Sequence, residues 1–283
     1  MRKPLVLAAF LAAVCLIVGV FYAARVALGL SFARIEAEEA RQSIERVRQA
    51  LQADLRQLDV AAEDYALWDD FYDFVKRDDP TLVDHFFSRA GLDNIDVDVV
   101  WVVDDAGRTR VQILADDPRG GLRPLTPELL QGLQSYGPLL RQIASSPVQR
   151  SAQLVRMPGG AMAVAVRRVA RESDPAHPSI GTFVFGRYLD ATVVQRLQQT
   201  SQAPVRSTLL DGGGRPETSV PPDVAAWLAT LERGPDPHQS GDLLVQTGDP
   251  ATLRSHVVLR DVAGQPLVVL STTASRADRK SVV

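Results

Sequence analysis

The 283-residue sequence holds one cysteine, Cys15, and four histidines, His85, His177, His238 and His256. Cys15 lies inside an apolar N-terminal run, so the chain beyond it can form no disulfide, no cysteine–zinc site and no cysteine nucleophile. The histidines are scattered without a ligand-spaced pair, and no Gly-x-Ser-x-Gly elbow occurs. Charge of neither sign dominates: 31 basic residues face 34 acidic ones, for a net charge of −3. A nucleic-acid partner, which calls for a clustered basic surface, is therefore not expected. Neither a metal, a cofactor nor catalysis is expected from these absences. Aromatic residues are also few, at 6% of the chain.

A long hydrophobic run, by contrast, opens the sequence. "MRKP" precedes "LVLAAFLAAVCLIVGVFYAA", uncharged from Leu5 to Ala24. Twenty helical residues span about 30 Å, the thickness of a bilayer core. Arg2 and Lys3 favour a cytoplasmic N-terminus, and Arg25 weakens that asymmetry without reversing it. The expectation is a lipid-embedded helix over residues 5–24, with everything from about residue 31 onward outside the cytoplasmic (inner) membrane. A cleaved secretory signal is the alternative, although its apolar core usually has only about 7–15 residues.

From Ser31 to Ala90 there is no glycine and one proline, Pro80, and good helix formers dominate. Apolar positions Ile44, Val47, Leu51, Leu55, Leu58, Ala62 and Tyr65 trace a heptad seam with one stutter around Leu51. This is either a stalk helix pairing with a second subunit as a homodimer or an amphipathic helix lying on its own domain. Both stay open over Ile35–Leu51; beyond Leu55 packing on the domain is favoured. After Pro80 the pattern turns to strands. Ile95, Val97, Val99 and Trp101 alternate, Asp104–Gly107 makes a hairpin turn, and a second strand runs to Leu114. "LTPELLQGLQSYGPLLRQI" reads as a helix capped by Thr126 with Pro127 in its first turn. "AMAVAVRRVA" and "IGTFVFGRYL" are two more strands, and Asp190 caps a helix over "DATVVQRLQQT". A fainter second round follows: "VRSTLL", the turn "DGGG", a helix around "PPDVAAWLATLE", and strands "DLLVQT", "LRSHVVLRD" and "QPLVVLSTT". No repeat is visible residue by residue. The order implies an α+β fold, an antiparallel sheet with helices set to one side.

One stretch concentrates the scarce aromatics. "DYALWDDFYDFV", Asp64–Val75, holds four acids and five aromatics. On a continuous helix Tyr65, Trp68, Asp69, Tyr72 and Val75 share a face. A carboxylate among rings needs a cation or several donors, and Arg167, Arg168 and Arg187 are candidate partners for Asp69. The stretch is either an aromatic-walled small-molecule pocket with one polar anchor or a core with a fixed ion pair. Adjacent Asp69 and Asp70 point about 100° apart, which excludes a catalytic carboxylate pair. In "LDNIDVD" the acids lack the glycine and terminal glutamate of a calcium loop, so Asp96 and Asp98 are read as the solvent side of a strand. "DGGGRPE" lacks a following Lys-Ser or Lys-Thr and is read as a turn.

"DYALWDDFYDFV", then "VVDDAGR" and "GTFVFGRYLD", resembles the fourth class of CHASE domains, extracytoplasmic sensory domains of bacterial membrane receptors. The likeness is good over 61–189 and weaker over 205–272, and Trp68-Asp69-Asp70, Tyr72 and Gly186-Arg187 carry most of it. The resemblance implies a fold related to Cache and PAS-like sensors: a long N-terminal helix supporting a mixed, mainly antiparallel sheet, with a second, smaller PAS-like subdomain. It implies a cytoplasmic output such as a diguanylate cyclase, a cyclic-di-GMP phosphodiesterase or a histidine kinase. This sequence carries one hydrophobic span and ends where a second would begin, so a fragment of a longer receptor is expected, with a natural single-pass protein as the alternative. The expected organisation is residues 1–30 cytoplasmic tip and membrane helix, 31–80 stalk, 81–201 membrane-distal sensory subdomain, 202–275 membrane-proximal subdomain, and 276–283 polar tail. The expected function is ligand-sensing input to a receptor, with Trp68 and Tyr72 as pocket walls and Asp69 and Arg187 as anchors for an unidentified small molecule. A ligand-free periplasmic interaction module is the rival.

Overall fold

The computed structural model describes residues 3–77, 83–115, 121–146, 152–174, 176–218, 220–231, 243–247 and 252–275, with the side chains of 3–15, 26–34, 36, 223, 230–231, 245–247 and 274–275 outside that description. The Asp79-Pro80 boundary and the expected polar tail at 276–283 also lie outside it. Helix α1 runs from Lys3 to Leu67, in keeping with the lack of glycine and proline after Ser31. Among the described residues no helix is long and apolar enough to cross a membrane. Leu5–Cys15, the first part of the expected span, falls outside the described side chains. Leu16, Ile17, Val18, Val20, Phe21 and Tyr22 of its second part are exposed.

Three short helices follow, α2 (Asp69–Arg77), α3 (Val83–Phe86) and α4 (Arg89–Asn94). The first sheet comprises β1 (Val99–Asp104), β2 (Thr109–Leu114), then after α5 (Pro127–Ala144) β3 (Gln153–Met157), β4 (Gly160–Val169) and β5 (Gly181–Tyr188), in the order β2-β1-β5-β4-β3. Helix α6 (Ala191–Ser201) leads to β6 (Val205–Leu209), α7 (Pro222–Leu231), β7 (Leu243–Thr247), β8 (Thr252–Arg260) and β9 (Pro266–Ser275), a second sheet ordered β6-β9-β8-β7. The second sheet repeats the order of the first without the β2 edge, and each round places one helix before its last three strands. The repeat is topological, which is why residue-by-residue comparison misses it. Every described strand pair is antiparallel, which corrects the mixed sheet expected from the resemblance.

The period-2 alternation of strands divides β1 and β4 between two cores. Val100 and Val102 face the core that contains α1, whereas Val99, Trp101 and Val103 face the core under α5. In β4 the small residues Ala161, Ala163 and Ala165 face α1, and Met162, Val164 and Val166 face α5. Alanines on both partners, Ala62 and Ala66 on α1 among them, let helix and sheet approach closely. The first sheet is therefore covered on both faces, and all six residues of β1 are buried. That corrects the half-solvated strand expected from Ile95 to Val103: the strand begins at Val99, and Asp96 sits in a turn with φ of 53°.

The same packing settles the stalk seam from Ile44 onward. Ile44, Val47, Leu51, Leu58 and Ala62 are buried against the chain's own sheets. The apolar stripe that would carry pairing with a second subunit is thus already covered. Ser255 Oγ donates to the carbonyl of Ala40 at 3.1 Å, and Arg46 Nε to that of Ser201 at 3.3 Å, tying α1 to the second sheet and to α6.

Candidate functional site

The aromatic–acid stretch is not one continuous helix. In an unbroken helix the carbonyls of Ala66 and Leu67 would accept from residues four positions on. Here they accept instead from the amides of Ala170 (3.1 Å) and Glu172 (3.0 Å), in the loop after β4. The helix stops at Leu67, and the carbonyl of Trp68 receives the amide of Tyr72 at 2.9 Å to start α2. The break turns Phe71 and Phe74 inward with Tyr72 and Val75. Phe71 meets Phe74, Phe86, Phe87 and Phe183 at centroid distances of 5.4–5.8 Å.

The four residues singled out in the sequence fall in different surroundings. Trp68 is 44% exposed and touches Phe86 edge-on. Asp69 is at the surface, accepts from the amide of Ser173 at 3.3 Å, and is held below the usual carboxylate range by its hydrogen bonds to Ser173. Tyr72 is buried; its hydroxyl donates to the carbonyl of Pro178, the guanidinium of Arg171 lies 4.7 Å above its ring, and His177 packs on its edge. Much of the polar chemistry of this stretch is thus spent on the chain's own loop after β4, including the Arg171–Asp73 ion pair.

None of the three candidate arginines meets Asp69. Arg167, on the α1 face of β4, pairs with Asp59. Arg168, on the opposite face, pairs with Asp105 at 2.8 Å. Arg187 pairs with Asp54 at 2.8 Å and donates to the carbonyls of Ile95 and Asp96. The pairings join residues 63 to 133 positions apart, which local spacing does not encode. Asp54 and Asp59 are acids on the buried side of α1, a signal readable in the sequence: charges among seam positions demand partners.

A cavity of about 480 Å³ opens on the other face of the first sheet, at the ends of β4 and β5 and beside the start of α5. Its volume lies within the range of metabolite sites. Asp98, Arg123, Thr126, Tyr188 and Asp190 supply its polar lining, with Leu114, Leu129 and Ala161 among the apolar walls. Asp98 Oδ2 accepts from the amide of Tyr188 at 2.7 Å; its other oxygen has no donor among the described residues. Burial pushes the Asp98 carboxyl up, the Tyr188 amide opposes this, and the charges of Asp96 and Asp190 add to it. Asp190 spends one oxygen on capping α6, accepting from Val193 N at 3.0 Å. The Tyr188 hydroxyl donates to the Pro158 carbonyl at 2.7 Å and fixes the ring at the rim. The polar lining is thus acidic at Asp98 and Asp190 and basic at Arg123, with Thr126 capping the first turn of α5, which also carries Glu128. Among the described residues no cluster of His, Cys, Asp or Glu is placed to hold a metal ion.

Comparison with known proteins bears on the family and the fold. The sequence model of the CHASE4 domain matches residues 50–208, more than half of the chain. The methanogenesis regulatory histidine kinase FilI of Methanothrix harundinacea (strain 6Ac) is 27% identical over 229 residues, covering 81% of this chain and 23% of that protein. The chain thus spans about a quarter of that relative's length. The periplasmic domain of Vibrio cholerae LuxQ has a similar fold, with a TM-score of 0.54 at 13% identity over 84% of this chain and 100% of that one.

Proposed function

The chain belongs to the CHASE4 domain family, and on that premise we propose that it is the ligand-sensing input region of a membrane-anchored signal-transduction receptor. The cavity above the sheet carries the reading. Its acidic residues suit an ammonium group, because Asp98 is a partly desolvated carboxylate whose second oxygen has no donor among the described residues. Arg123, in the same lining, suits an anionic or hydroxylic group. The ligand class is therefore a small molecule with a protonated amine, of which a zwitterion fits both. Apolar side chains exposed around α1 between Leu16 and Tyr22 support an anchor over residues 5–24. Residues from about 31 onward then lie outside the cytoplasm, as 81–201 and 202–275 subdomains on a common stalk. The output belongs to a partner region such as a histidine kinase or a cyclic-di-GMP enzyme.

A second reading has one observation behind it. The half-exposed Trp68 ring beside Asp69 offers a surface for a protein or ligand, the arrangement that the motif alone suggests. Thermal melting of the chain against amines, amino acids and simple carboxylates separates the two. A ligand at a hundred times its dissociation constant adds about 2.7 kcal/mol. For a chain this size the midpoint rises by about 5–10 °C. A rise with amine-bearing compounds that is lost in Asp98→Asn supports the cavity. A rise that survives Asp98→Asn and disappears in Asp69→Ala moves the site to Trp68. No rise with any compound favours a ligand-free interaction module.

A further inference from the structure

Arg187 and Tyr188 are consecutive on β5, so their side chains leave opposite faces of the sheet. Tyr188 lines the cavity and its amide holds Asp98. Arg187 is 3% exposed on the α1 face and binds Asp54 of the stalk helix. The segment between α4 and β1 is divided in the same way. Asp98 faces the cavity, whereas the carbonyls of Ile95 and Asp96 receive the Arg187 guanidinium. Arg196 of α6 closes the network, with contacts of 2.9 Å to Asp54 and 2.6 Å to Asp96. Gly186 keeps the strand flat against its neighbours, since a Cβ there would come within 2.7 Å of Met162 Sδ and 3.0 Å of Val99 Cβ. The end of β5 and residues 95–98 thus form one stiff unit with the cavity on one side and the stalk on the other.

We infer that the buried Asp54–Arg187 pair is the link through which occupancy of the Asp98 cavity is felt by α1, with Arg187 as a positioning residue between them. This rests on the cavity being the ligand site. With the cavity empty, Arg187 is attracted by Asp98 as well as by Asp54 and Asp96. An ammonium group beside Asp98 cancels its charge, and the guanidinium is then drawn only toward Asp54 and Asp96. The stalk is gripped more tightly at Asp54. Transmission requires the ligand to bind two stalk arrangements with different affinity, and the grip on Asp54 is the contact that would distinguish them.

Asp98→Asn mimics the neutralised cavity without any ligand, so the link can be tested whatever the ligand is. The experiment is amide hydrogen exchange on the full chain in phospholipid nanodiscs. In Asp98→Asn, exchange over residues 51–58 is expected to slow by about threefold, the lower range of measured site-to-site couplings. Residues 40–47, which lie on the second sheet, keep their rates. In the Asp54→Asn/Arg187→Met background, which leaves neither charge alone, Asp98→Asn is expected to change only residues 95–98 and the end of β5. Should that background not fold, Arg187→Lys keeps a charge for Asp54 but loses the fork to the two carbonyls, and is expected to lose the response with α1 still packed. Unchanged or faster exchange at 51–58 in Asp98→Asn, or a slowing that persists without the Arg187 fork, overturns the link. Failure of every amine to bind would instead remove the ligand reading and leave this result standing.

Discussion

Replacing Phe71 by alanine tests where the aromatic–acid stretch does its work. Phe71 is fully buried and makes four ring contacts, with Phe74, Phe86, Phe87 and Phe183. Removing the side chain forfeits about 1.5–3 kcal/mol of transfer free energy. Ring pairs add about 0.5–1.5 kcal/mol each, though not independently. Together with the cavity left behind, the cost falls at the upper end of the about 3–5 kcal/mol seen for emptied aromatic sites. Trp68, by contrast, is nearly half exposed and makes one ring contact among the described residues, edge-on with Phe86. Trp68→Ala should cost about 1–2 kcal/mol on the same reasoning. Thermal melting by circular dichroism reads the difference, at about 2–4 °C per kcal/mol for a chain of this size. Phe71→Ala should lower the midpoint at least twice as far as Trp68→Ala. Equal losses, or a larger loss for Trp68→Ala, would refute the break at Leu67 and restore a continuous helix with the tryptophan inside.

Three further outcomes follow from the buried charges and close contacts. Asp54→Asn leaves the Arg187 guanidinium buried with only carbonyls, Asp96 and a neutral amide, and should cost about 3 kcal/mol in urea unfolding, the lower end for a broken buried pair. Gly186→Ala drives a methyl into Met162 and Val99 and should cost about 1–3 kcal/mol, read in the same assay. The Asp98 carboxyl is pushed up in the folded chain, so the native state holds its proton more tightly than the unfolded state does. Asp98 should therefore contribute a loss of stability as pH rises from the ordinary aspartate range through its raised native value, against the opposite contribution of Asp69, Asp104 and Asp211, whose carboxyls are held down. Asp98→Asn should remove that contribution, so its stability relative to wild type should grow as pH rises to neutral, which melting of both across pH would show.

Local signals were legible in the sequence, and long-range pairings were not. Thr126 and Asp190 cap α5 and α6, as their side chains and positions imply. The hairpin turns at Asp104–Gly107, where Gly107 has φ of 79°. Strand β3 escaped notice because it is five residues long, carries Arg156 and runs directly into Pro158. The break at Trp68 has no local cause: it is imposed by amides about a hundred residues away that take the carbonyls of Ala66 and Leu67. The cavity escaped for a similar reason. Asp98, Arg123 and the pair Tyr188 and Asp190 come from three separate segments, and only the strand register, with the Leu114–Arg123 bridge at the end of β2, brings them together. Asp98 itself was read as solvent-facing, because strand alternation alone does not reveal that α5 covers the second face.

Calorimetric titration with the strongest hit of the amine panel tests the central claim most directly. It would be run on wild type, Asp98→Asn and Asp69→Ala. The account expects Asp98→Asn to weaken binding at least about tenfold, as loss of a charge-assisted hydrogen bond in a desolvated site should. It expects Asp69→Ala, at the surface and bonded to Ser173, to bind as wild type does. Undiminished binding to Asp98→Asn, with binding lost in a folded Asp69→Ala, would contradict the account and place the ligand at Trp68.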